Sequence, residues 1–406
     1  MTVNWAGNVT FRAARVHHPA SEADLSQIVA GADRVRALGT GHSFNRVADT
    51  TGDLVCLDRL PPTVEVDPVG RSVTVAAGMS YAALAGRLHQ AGFALARLAS
   101  LPHISVAGSV ATGTHGSGDG RRCLSAAVSG LRLMGPGGDQ AELRRGDPGF
   151  DGAVVALGAL GVVTRLTLEI EPAFEVSQQV YVDVDLDEVA GRLDEVFAAG
   201  YSVSAFTGWR DGQAMVWVKR RPGHAGSGWR GRHPARQPMH PVPGQPPENC
   251  TEQFGVPGPW HERLPHFRPD RPPSAGAELQ SELYLPRDSA PAAIAAVREL
   301  GGVIAPVLLT SELRTVAADE LWLSPAYHRD TVAFHFTWIL DTDAVLPVLA
   351  QVENRLLLLG ARPHWGKLTT LPPRVVLAAY PEAGSFARLM RRLDPPGKFR
   401  TDLIDT

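Results

Sequence analysis

Two stretches in the second half of the chain carry ionisable side chains at the two-residue spacing of a β-strand. In residues 307–316, Glu312 and Arg314 share one face, and in residues 332–340, His335 and Thr337 share the face opposite a row of apolar side chains. A carboxylate, a guanidinium, an imidazole and a hydroxyl that face one cleft can bind several hydroxyl groups and take up a hydroxyl proton. These residues therefore indicate a site for a polyol or a sugar acid.

A further cation, Lys367, follows in a loop that contains an aromatic residue. The alternative is a sheet face that is exposed to solvent, and the two-residue spacing alone does not exclude it. An exposed strand, however, more often carries Lys, Glu and Thr than a histidine on the same face as Ala333 and Ile339. We therefore favour a cleft that Lys367 completes.

Residues 39–45, Gly-Thr-Gly-His-Ser-Phe-Asn, form a second motif directly after a strand predicted over residues 34–38. Its two glycines permit a tight turn and a close approach of backbone N–H groups to phosphate oxygens. The turn is not the usual dinucleotide fingerprint, because Phe44 stands in place of the third glycine and no helical pattern follows. His42 is thus either a surface histidine in a tight turn or part of a loop that approaches a ligand.

Residues 98–118 are almost free of charge and are built largely of Gly, Ala, Ser and Thr. Such a composition is typical of a flexible linker. The interleaved Leu101, Ile104, Val106 and Val110 have no use in a solvated linker. We predict a buried, irregular segment that lies against a large ligand through small side chains and backbone donors.

The first half otherwise reads as a small α+β unit. Ser21 to Asp24 have the form of a capping box before a helix, and the short strands that follow are too close together for regular βαβ crossovers. A hairpin is predicted around residues 136–139, and alternating apolar residues predict a strand over 162–170. We place a domain boundary at Pro172.

The second half begins with a helix predicted over residues 187–199 and a pair of strands. Residues 222–273 are rich in proline, and we predict an ordered excursion because Trp229, Phe254, Trp260 and Phe267 give it something to bury. Helices near 290–300 and 344–359 alternate with strands, which predicts a sheet covered by helices on one face. The histidines of the excursion are predicted to lie on the surface: His224, His233, His240, His261 and His266.

The composition excludes several other classes of protein. Hydrophobic residues make up 44% and charged residues 20% of the 406 residues, which is typical of a globular protein, and the formal net charge of −3 does not favour binding to nucleic acid. No apolar run is long enough to span a membrane, and the start of the chain has no signal-peptide pattern. The three cysteines are far apart and indicate neither a zinc site nor disulfides. We expect a cytoplasmic protein without a metal.

Residues 39–45, together with the later Ser100-Leu-Pro-His-Ile-Ser-Val-Ala-Gly-Ser-Val-Ala-Thr-Gly-Thr-His-Gly116, resemble the FAD-binding fold of the vanillyl-alcohol-oxidase type. Within that fold the chain is most similar to the alditol oxidases, which act on xylitol or sorbitol. The resemblance runs almost end to end and includes residues 250–267, 324–327 and 394–399. It implies an α+β fold of two domains, with an FAD-binding domain over 1–172 and a substrate domain over 173–367 built on an antiparallel sheet covered by helices. Residues 368–406 are expected to return to the FAD domain.

The resemblance also assigns roles to individual residues. His42 takes the place of the histidine that is bonded covalently to the 8α-methyl group of the flavin. Ser100, Glu312, Arg314, Thr337 and Lys367 match the positions that contact substrate, with His335 beside them. The remaining residues implied in FAD binding are Ala37, Leu38, Gly39, Thr40, Gly41, Ser43, Ser100, Ser105, Gly108, Thr112, Gly113, Thr114, His115, Val162 and Val163.

The implied reaction removes a hydride from the terminal carbinol carbon of an alditol to flavin N5 and gives an aldose. The reduced flavin then converts O2 to H2O2. Lys367 or His335 assists loss of the hydroxyl proton, and the Arg314 guanidinium stabilises negative charge near the flavin and the substrate oxygen. Two alternatives stay open: an aldonolactone oxidase or dehydrogenase of the same fold, and a carbohydrate-binding protein without catalysis. We expect a monomer whose partners are a small polyol and O2.

Overall fold

The computed structural model describes residues 2–404. Met1 of the predicted FAD-binding domain and residues 405–406 of the predicted C-terminal segment lie outside the described residues. In residues 2–172 the strands are β1 (Arg15–His17), β2 (Val35–Leu38), β3 (Asp53–Cys56), β4 (Val64–Asp67), β5 (Ser72–Ala76), β6 (Phe93–Ala94), β7 (Val128–Met134), β8 (Gln140–Arg144), β9 (Val162–Glu169) and β10 (Glu171–Pro172). Beyond residue 172 they are β11 (Glu175–Asp185), β12 (Ser202–Thr207), β13 (Gln213–Arg220), β14 (His233–Pro234), β15 (Gly258–Pro259), β16 (Glu278–Pro286), β17 (Leu308–Val316), β18 (Thr331–Ile339) and β19 (Arg362–Pro363).

The helices are distributed along the whole chain. They are α1 (Glu22–Gly31), α2 (Tyr81–Gln90), α3 (Val106–Ala111), α4 (Phe150–Val154), α5 (Leu186–Gly191), α6 (Leu193–Phe197), α7 (Trp260–Arg263), α8 (Ala290–Glu299), α9 (Gly301–Ile304), α10 (Thr342–Leu357), α11 (Pro373–Ala378) and α12 (Ala383–Leu393). Among residues 2–404, no helix combines the length and the apolar character that crossing a membrane requires.

Two sheets organise the first half. The strands β1, β3 and β2 form a parallel sheet, and β4, β5, β9, β7 and β8 form an antiparallel one. The predicted capping box is confirmed, because Ser21 Oγ accepts a hydrogen bond of 3.0 Å from the Asp24 N–H at the start of α1. The crossover from β1 through α1 to β2 was not predicted, since β1 has only three residues.

A nine-stranded sheet organises the second half, with β17, β18 and β16 adjacent near one end. Its strands pair antiparallel, as predicted. Helices α5, α6, α8 and α10 cover one face, where Ile294 and Val352 pack in one apolar cluster with Leu313, Phe334 and Phe336. The opposite face of β16, β17 and β18 carries the polar side chains, so strand parity separates core from site.

Two predictions about local structure were wrong. Residues 98–118 are not wholly irregular, because they contain α3, whose run of Val, Ala and Ser supports a short helix. The single helix predicted over 187–199 is broken into α5 and α6 at Arg192, whose φ of −125° is not helical.

The proline-rich excursion is described throughout and contains little regular structure. Trp229, Trp260 and Phe267 are buried, as predicted. The prediction for Phe254 was wrong, because its side chain is 43% exposed. It lies in a turn that the Gly255 N–H fixes on the Gln178 carbonyl at 2.7 Å, which leaves its ring outside.

The C-terminal residues pack on the first half of the chain. Phe386 and Leu389 of α12 share an apolar cluster with Phe150 and Val154 of α4. Further along, the buried guanidinium of Arg36 donates to the Phe399 carbonyl at 2.7 Å. The segment after residue 368 thus contacts the first half of the chain, while the division into three domains with its two boundaries stays a prediction.

Candidate functional site

A cavity of about 230 Å³ lies between the glycine turn and the polar face of the large sheet. One side, which we call the glycine wall, consists of residues 37–45 and 99–115. The other side, the polar wall, consists of Glu282, Glu312, Arg314, His335, Thr337 and Lys367. Both sequence motifs thus border one space.

The glycine wall approaches the cavity through its backbone. Gly41 has a φ of +71°, in the left-handed region that favours glycine, and this directs the chain from β2 into the turn. The turn is held from outside, because the Trp5 N–H donates to the Gly41 carbonyl at 2.8 Å and the Trp5 ring stacks on His42 with centroids 5.1 Å apart. The imidazole is therefore fixed at the cavity and is not a free surface group.

His42 has an unusual environment for a histidine of a turn. Burial, with a smaller contribution from His103, lowers its pKa to about 4, so the ring is neutral at pH 7. Its Nδ1 lies 3.1 Å from Thr40 Oγ1, and its Nε2 is buried without a hydrogen-bond partner among residues 2–404. A neutral imidazole retains the lone pair that attachment to an electrophilic carbon requires.

Most predicted cofactor residues line the cavity, and two do not. Gly113 faces Pro325 and Val155, where an added Cβ would come within 3.0 Å of Pro325 Cδ. Val162 packs in a separate apolar cluster with Met134. The predicted residues that do line the cavity are Ala37, Leu38, Gly39, Thr40, Gly41, His42, Ser43, Ser100, Ser105, Gly108, Thr112, Thr114, His115 and Val163.

The polar wall is a grid that the strand register creates. His335 on β18 pairs with Glu282 on β16 and with Glu312 on β17, so two carboxylates flank one imidazole. Two residues further along β18, Thr337 pairs with Gln280 and Thr310 in the same way. Residues at alternate positions of a strand share a face with their partners on the adjacent strands. The polar side chains of β16, β17 and β18 therefore lie together on one face of the sheet.

Glu282 lies at the centre of the charged groups and is 1% exposed. Its Oε1 accepts from Arg314 Nη2 at 2.5 Å and lies 3.0 Å from His115 Nε2, and its Oε2 lies 2.9 Å from Lys367 Nζ. Lys367 Nζ is also 2.7 Å from His335 Nδ1. One carboxylate therefore contacts groups from both walls.

Glu312 has its own support behind the cavity. Its Oε1 lies 2.9 Å from His266 Nε2, which is also 3.2 Å from Ser204 Oγ, and its Oε2 lies 3.5 Å from Arg314 Nε. Burial lowers the pKa of His266 to about 4, so a neutral ring donates its Nε2 proton to the carboxylate.

The protonation states follow from burial and charge together. Burial opposes ionisation of Glu282, but Lys367, Arg314 and His115 outweigh it and hold its pKa well below the usual range. Burial lowers the pKa of Lys367, and Glu282 opposes this shift. Burial and then Lys367 lower the pKa of His335 far below its usual value. Two carboxylates, one guanidinium and neutral histidines thus surround the amine.

The structure brings the predicted substrate residues together, and sequence reasoning missed two others. Glu282 follows Glu278 and Gln280 at the same two-residue spacing, so the parity argument applied to β17 and β18 could have found it on β16. His266 was predicted on the surface, as was His240, yet they are only 4% and 8% exposed. These two predictions were wrong, because proline-rich composition does not reveal that the segment folds back over the sheet.

Comparisons with known proteins agree with this architecture. Residues 13–144 match a family model described as an FAD-binding domain, and residues 279–406 match D-arabinono-1,4-lactone oxidase. The fold is similar to cholesterol oxidase from Brevibacterium sterolicum, with a TM-score of 0.78 at 14% identity, over 99% of this chain and 96% of that one.

Full-length relatives define the group more closely. An alditol oxidase from a Streptomyces species is 51% identical over 99% of this chain and 98% of its own length. The L-gulono-1,4-lactone dehydrogenase of Mycobacterium tuberculosis is 28% identical over 98% of this chain and 97% of its own. The L-gulonolactone oxidase of Scyliorhinus torazame is 24% identical over 99% and 97%.

The residues present also fit a flavin. The glycine wall lines the cavity without an Asp, Glu, Lys or Arg side chain, and His42 presents a neutral ring whose buried Nε2 has no hydrogen-bond partner among residues 2–404. The protein is therefore an FAD-dependent oxidoreductase with the α+β fold of the vanillyl-alcohol-oxidase type, and the chain belongs to the alditol oxidase family.

Proposed function

We propose that the protein oxidises the terminal primary hydroxyl of alditols such as xylitol and sorbitol to the aldose, with O2 reduced to H2O2. The observation that carries the proposal is the polar wall itself. Glu312, Arg314, Thr337 and Lys367 face the same cavity as His42, and Ser100 lies 3.4 Å from Arg314 through its hydroxyl. This arrangement offers donors and acceptors for several adjacent hydroxyl groups beside a cofactor surface.

FAD would lie on the glycine wall, with the backbone around residues 37–43, Ser105, Gly108, Thr112, Thr114 and His115 holding its polar parts and His42 bonded to it covalently. When bound, FAD supplies the redox chemistry by accepting the two electrons of the C–H bond as a hydride and passing them to O2. The neutral His42 ring supports the proposed attachment, because a protonated ring has no lone pair to form the bond.

The chain's own side chains bind the substrate and accept its proton. Glu312 accepts hydrogen bonds from substrate hydroxyls, since it is ionised and His266 orients it. Ser100 and Thr337 can donate or accept. Arg314 remains charged, because burial is outweighed by Glu312 and Glu282, and it stabilises negative charge on the reacting oxygen. The Lys367–His335 pair receives the hydroxyl proton.

Two measurements test the covalent link. Protein precipitated with acid should remain yellow, whereas free flavin in the supernatant would contradict the bond. His42→Ala should release all of its FAD on precipitation and should be reduced more slowly by substrate. A matched control is His18→Ala, since His18 forms a surface pair with Asp58 outside the cavity.

The substrate is tested by anaerobic reduction of the flavin. Xylitol and sorbitol should bleach the visible absorption band of the flavin faster than glycerol or aldonolactones at equal concentration. Peroxide should form in equal amount to the polyol consumed once air is admitted. A protein that binds polyols without bleaching would instead be a carbohydrate-binding protein without catalysis.

An aldonolactone oxidase or dehydrogenase is the second candidate. It is favoured by the match of residues 279–406 to D-arabinono-1,4-lactone oxidase, which covers β16, β17 and β18. Faster reduction by aldonolactones than by any alditol would support it, and reduction without peroxide formation would indicate an acceptor other than O2.

We also propose that the enzyme acts as a monomer in the cytoplasm. Exposed large apolar side chains such as Val69, Phe254 and Leu358 lie in separate segments of the chain. Light scattering of the purified protein should give a mass near 43.4 kDa, and twice that value would show a dimer.

A further inference from the structure

The polar wall contains a buried carboxylate, Glu282, to which the proposed reaction assigns no role. Glu282 is 1% exposed and accepts from Arg314 at 2.5 Å, while Lys367 and His115 lie at 2.9 and 3.0 Å. His335 Nδ1 lies 3.9 Å away. A carboxylate that only filled space would be costly here, because burying a charge is unfavourable unless other groups compensate it.

The charges around Glu282 can be counted. Glu282 and Glu312 contribute two negative charges and Arg314 contributes one positive charge, which leaves one negative charge in a buried cluster. His115, His266, His335 and His364 have lowered pKa values and are counted as neutral, and burial raises the pKa of the Tyr284 phenol, which keeps its proton. Two further buried groups act on these charges: Glu278, whose pKa burial raises, interacts with Lys367, and Lys219, whose pKa burial lowers to about 7, interacts with Glu312. A proton on Lys367 offsets the negative charge of the carboxylates that act on it.

The contact between Lys367 and His335 identifies where that proton lies. Two nitrogens 2.7 Å apart must share a hydrogen, donated either by an ammonium to the imidazole or by the imidazole to a neutral amine. The Glu282 carboxylate at 2.9 Å from Lys367 Nζ favours the ammonium. His335 Nδ1 is then the acceptor, and the His335 proton lies on Nε2, 3.1 Å from Thr337 Oγ1.

We propose that Glu282 is a positioning residue that holds one proton on Lys367 and so sets the pH above which the Lys367–His335 pair can accept the hydroxyl proton of the substrate. The inference rests on the proposed function for its catalytic meaning. With the proton in place, the ammonium has no lone pair and His335 Nδ1 is occupied. After that proton is lost, the substrate O–H bond breaks as a new N–H bond forms on the Lys367–His335 pair. The two electrons of the substrate C–H bond would leave with the hydrogen as a hydride to FAD, as in the proposed function.

The sign of the effect is fixed by the charge of Glu282. The carboxylate favours protonated Lys367, so Glu282→Gln lowers the pKa of Lys367 further. Since the unprotonated pair is the active form, the acid limb of the pH–rate profile moves to lower pH, by about one pH unit or more for a charge at this distance. Glu282→Asp retains the charge and should return the limb toward that of the parent enzyme.

The experiment measures the anaerobic rate of flavin reduction by xylitol between pH 5.5 and 10 for the holoenzyme and the two variants. Asp319→Asn is the matched control, because Asp319 is a buried carboxylate that contacts Cys123 and Ser324 instead of the cavity, and it should leave the acid limb in place. A Glu282→Gln enzyme that is slower by one factor at every pH, with an unmoved limb, would overturn the proposal.

A second readout needs neither a folded Glu282→Gln variant nor turnover. The ¹⁵N spectrum of histidine-labelled parent enzyme, with the His335 signals identified by their loss in His335→Gln, should show a neutral ring protonated on Nε2 at pH 7. A ring protonated on Nδ1, or on both nitrogens, would overturn the assignment of the proton to Lys367. If no alditol reduces the flavin, the proposed function fails, while the spectrum still decides the protonation of the pair.

Discussion

The two walls of the cavity achieve binding by opposite means. The glycine wall has no Asp, Glu, Lys or Arg in residues 37–45 or 99–115 and lines the cavity mostly with Gly, Ala, Ser and Thr. The polar wall presents buried carboxylates, a guanidinium and an ammonium from three neighbouring strands and the loop that carries Lys367. A long cofactor requires close contact along its length, whereas a small polyhydroxylated substrate requires a few directed hydrogen bonds.

The difference also determines how each wall is built. Charged groups in a buried site must be compensated by partners at fixed distances, and a sheet supplies that precision because its register is locked by the apolar face behind it. A loop can change direction freely at glycine, and this suits a surface that must follow an extended ligand. We therefore expect substitutions in the polar wall to affect turnover, and those in the glycine wall to affect flavin incorporation.

The largest effect should follow removal of the Lys367 amino group from the polar wall. Lys367→Met should lower the rate of anaerobic flavin reduction by about 10²–10⁴-fold, because general base catalysis contributes that much and the pair loses its proton acceptor. The flavin content should not change. Loss of flavin together with activity would contradict the expectation that the polar wall affects turnover and not flavin incorporation.

The matched control is another buried lysine. Lys398 donates to the Val29 and Pro136 carbonyls, each at 2.7 Å, and does not line the cavity. Lys398→Met should lower the melting temperature, since one buried and one partly buried carbonyl lose their donor, and should leave the reduction rate per bound flavin unchanged.

An intermediate effect is expected on the pH dependence of the free energy of unfolding, through His266, which contacts Glu312 behind the polar wall. The pKa of His266 is lowered to about 4 by burial first, so the folded protein binds fewer protons than the unfolded chain between about pH 6.5 and 4. The free energy of unfolding therefore falls as pH falls through 6.5 toward 4. His266 should contribute a loss of about 2 kcal/mol between pH 7 and pH 5.

Urea denaturation at these two pH values tests the contribution. His266→Gln keeps a donor for Glu312 but cannot titrate, so the loss of stability between pH 7 and pH 5 should shrink. The lowered pKa values of Glu282 and Glu312 act below about pH 4.5 and do not enter this window. An unchanged loss would show that folding does not lower the pKa of His266.

The smallest effect should come from the glycine wall. Gly41→Ala should cost about 1 kcal/mol through its φ of +71° and should reduce the fraction of protein that carries FAD. Gly92→Ala is the control, because Gly92 has a φ of +83° with open space around its Cβ position and lies outside the cavity. If both variants lose equal stability but only Gly41→Ala loses flavin, the assignment of flavin incorporation to the glycine wall is supported. Equal flavin content in the two variants would contradict that assignment.

Much of this site could be predicted from local pattern. The two-residue spacing in β17 and β18 placed Glu312, Arg314, His335 and Thr337 on faces opposite the core, and the structure has them there. The same rule on β16 would have revealed Glu282. Such information is local, because the direction of a side chain in a strand depends only on its parity.

Other features depended on contacts between distant parts of the chain. Composition could not reveal that His266 returns from the proline-rich excursion to contact Glu312, or that α3 forms inside a segment rich in Gly and Ser.

The sequence by itself determined which residue types face the cavity and that the glycine turn is small and uncharged. The tertiary structure decided which strands are neighbours, and thereby that Glu282 lies between Arg314 and Lys367 while His115 reaches it from the other wall. The physical reason is that parity is set within each strand, whereas register and the meeting of charges from distant segments are set by packing of the whole core.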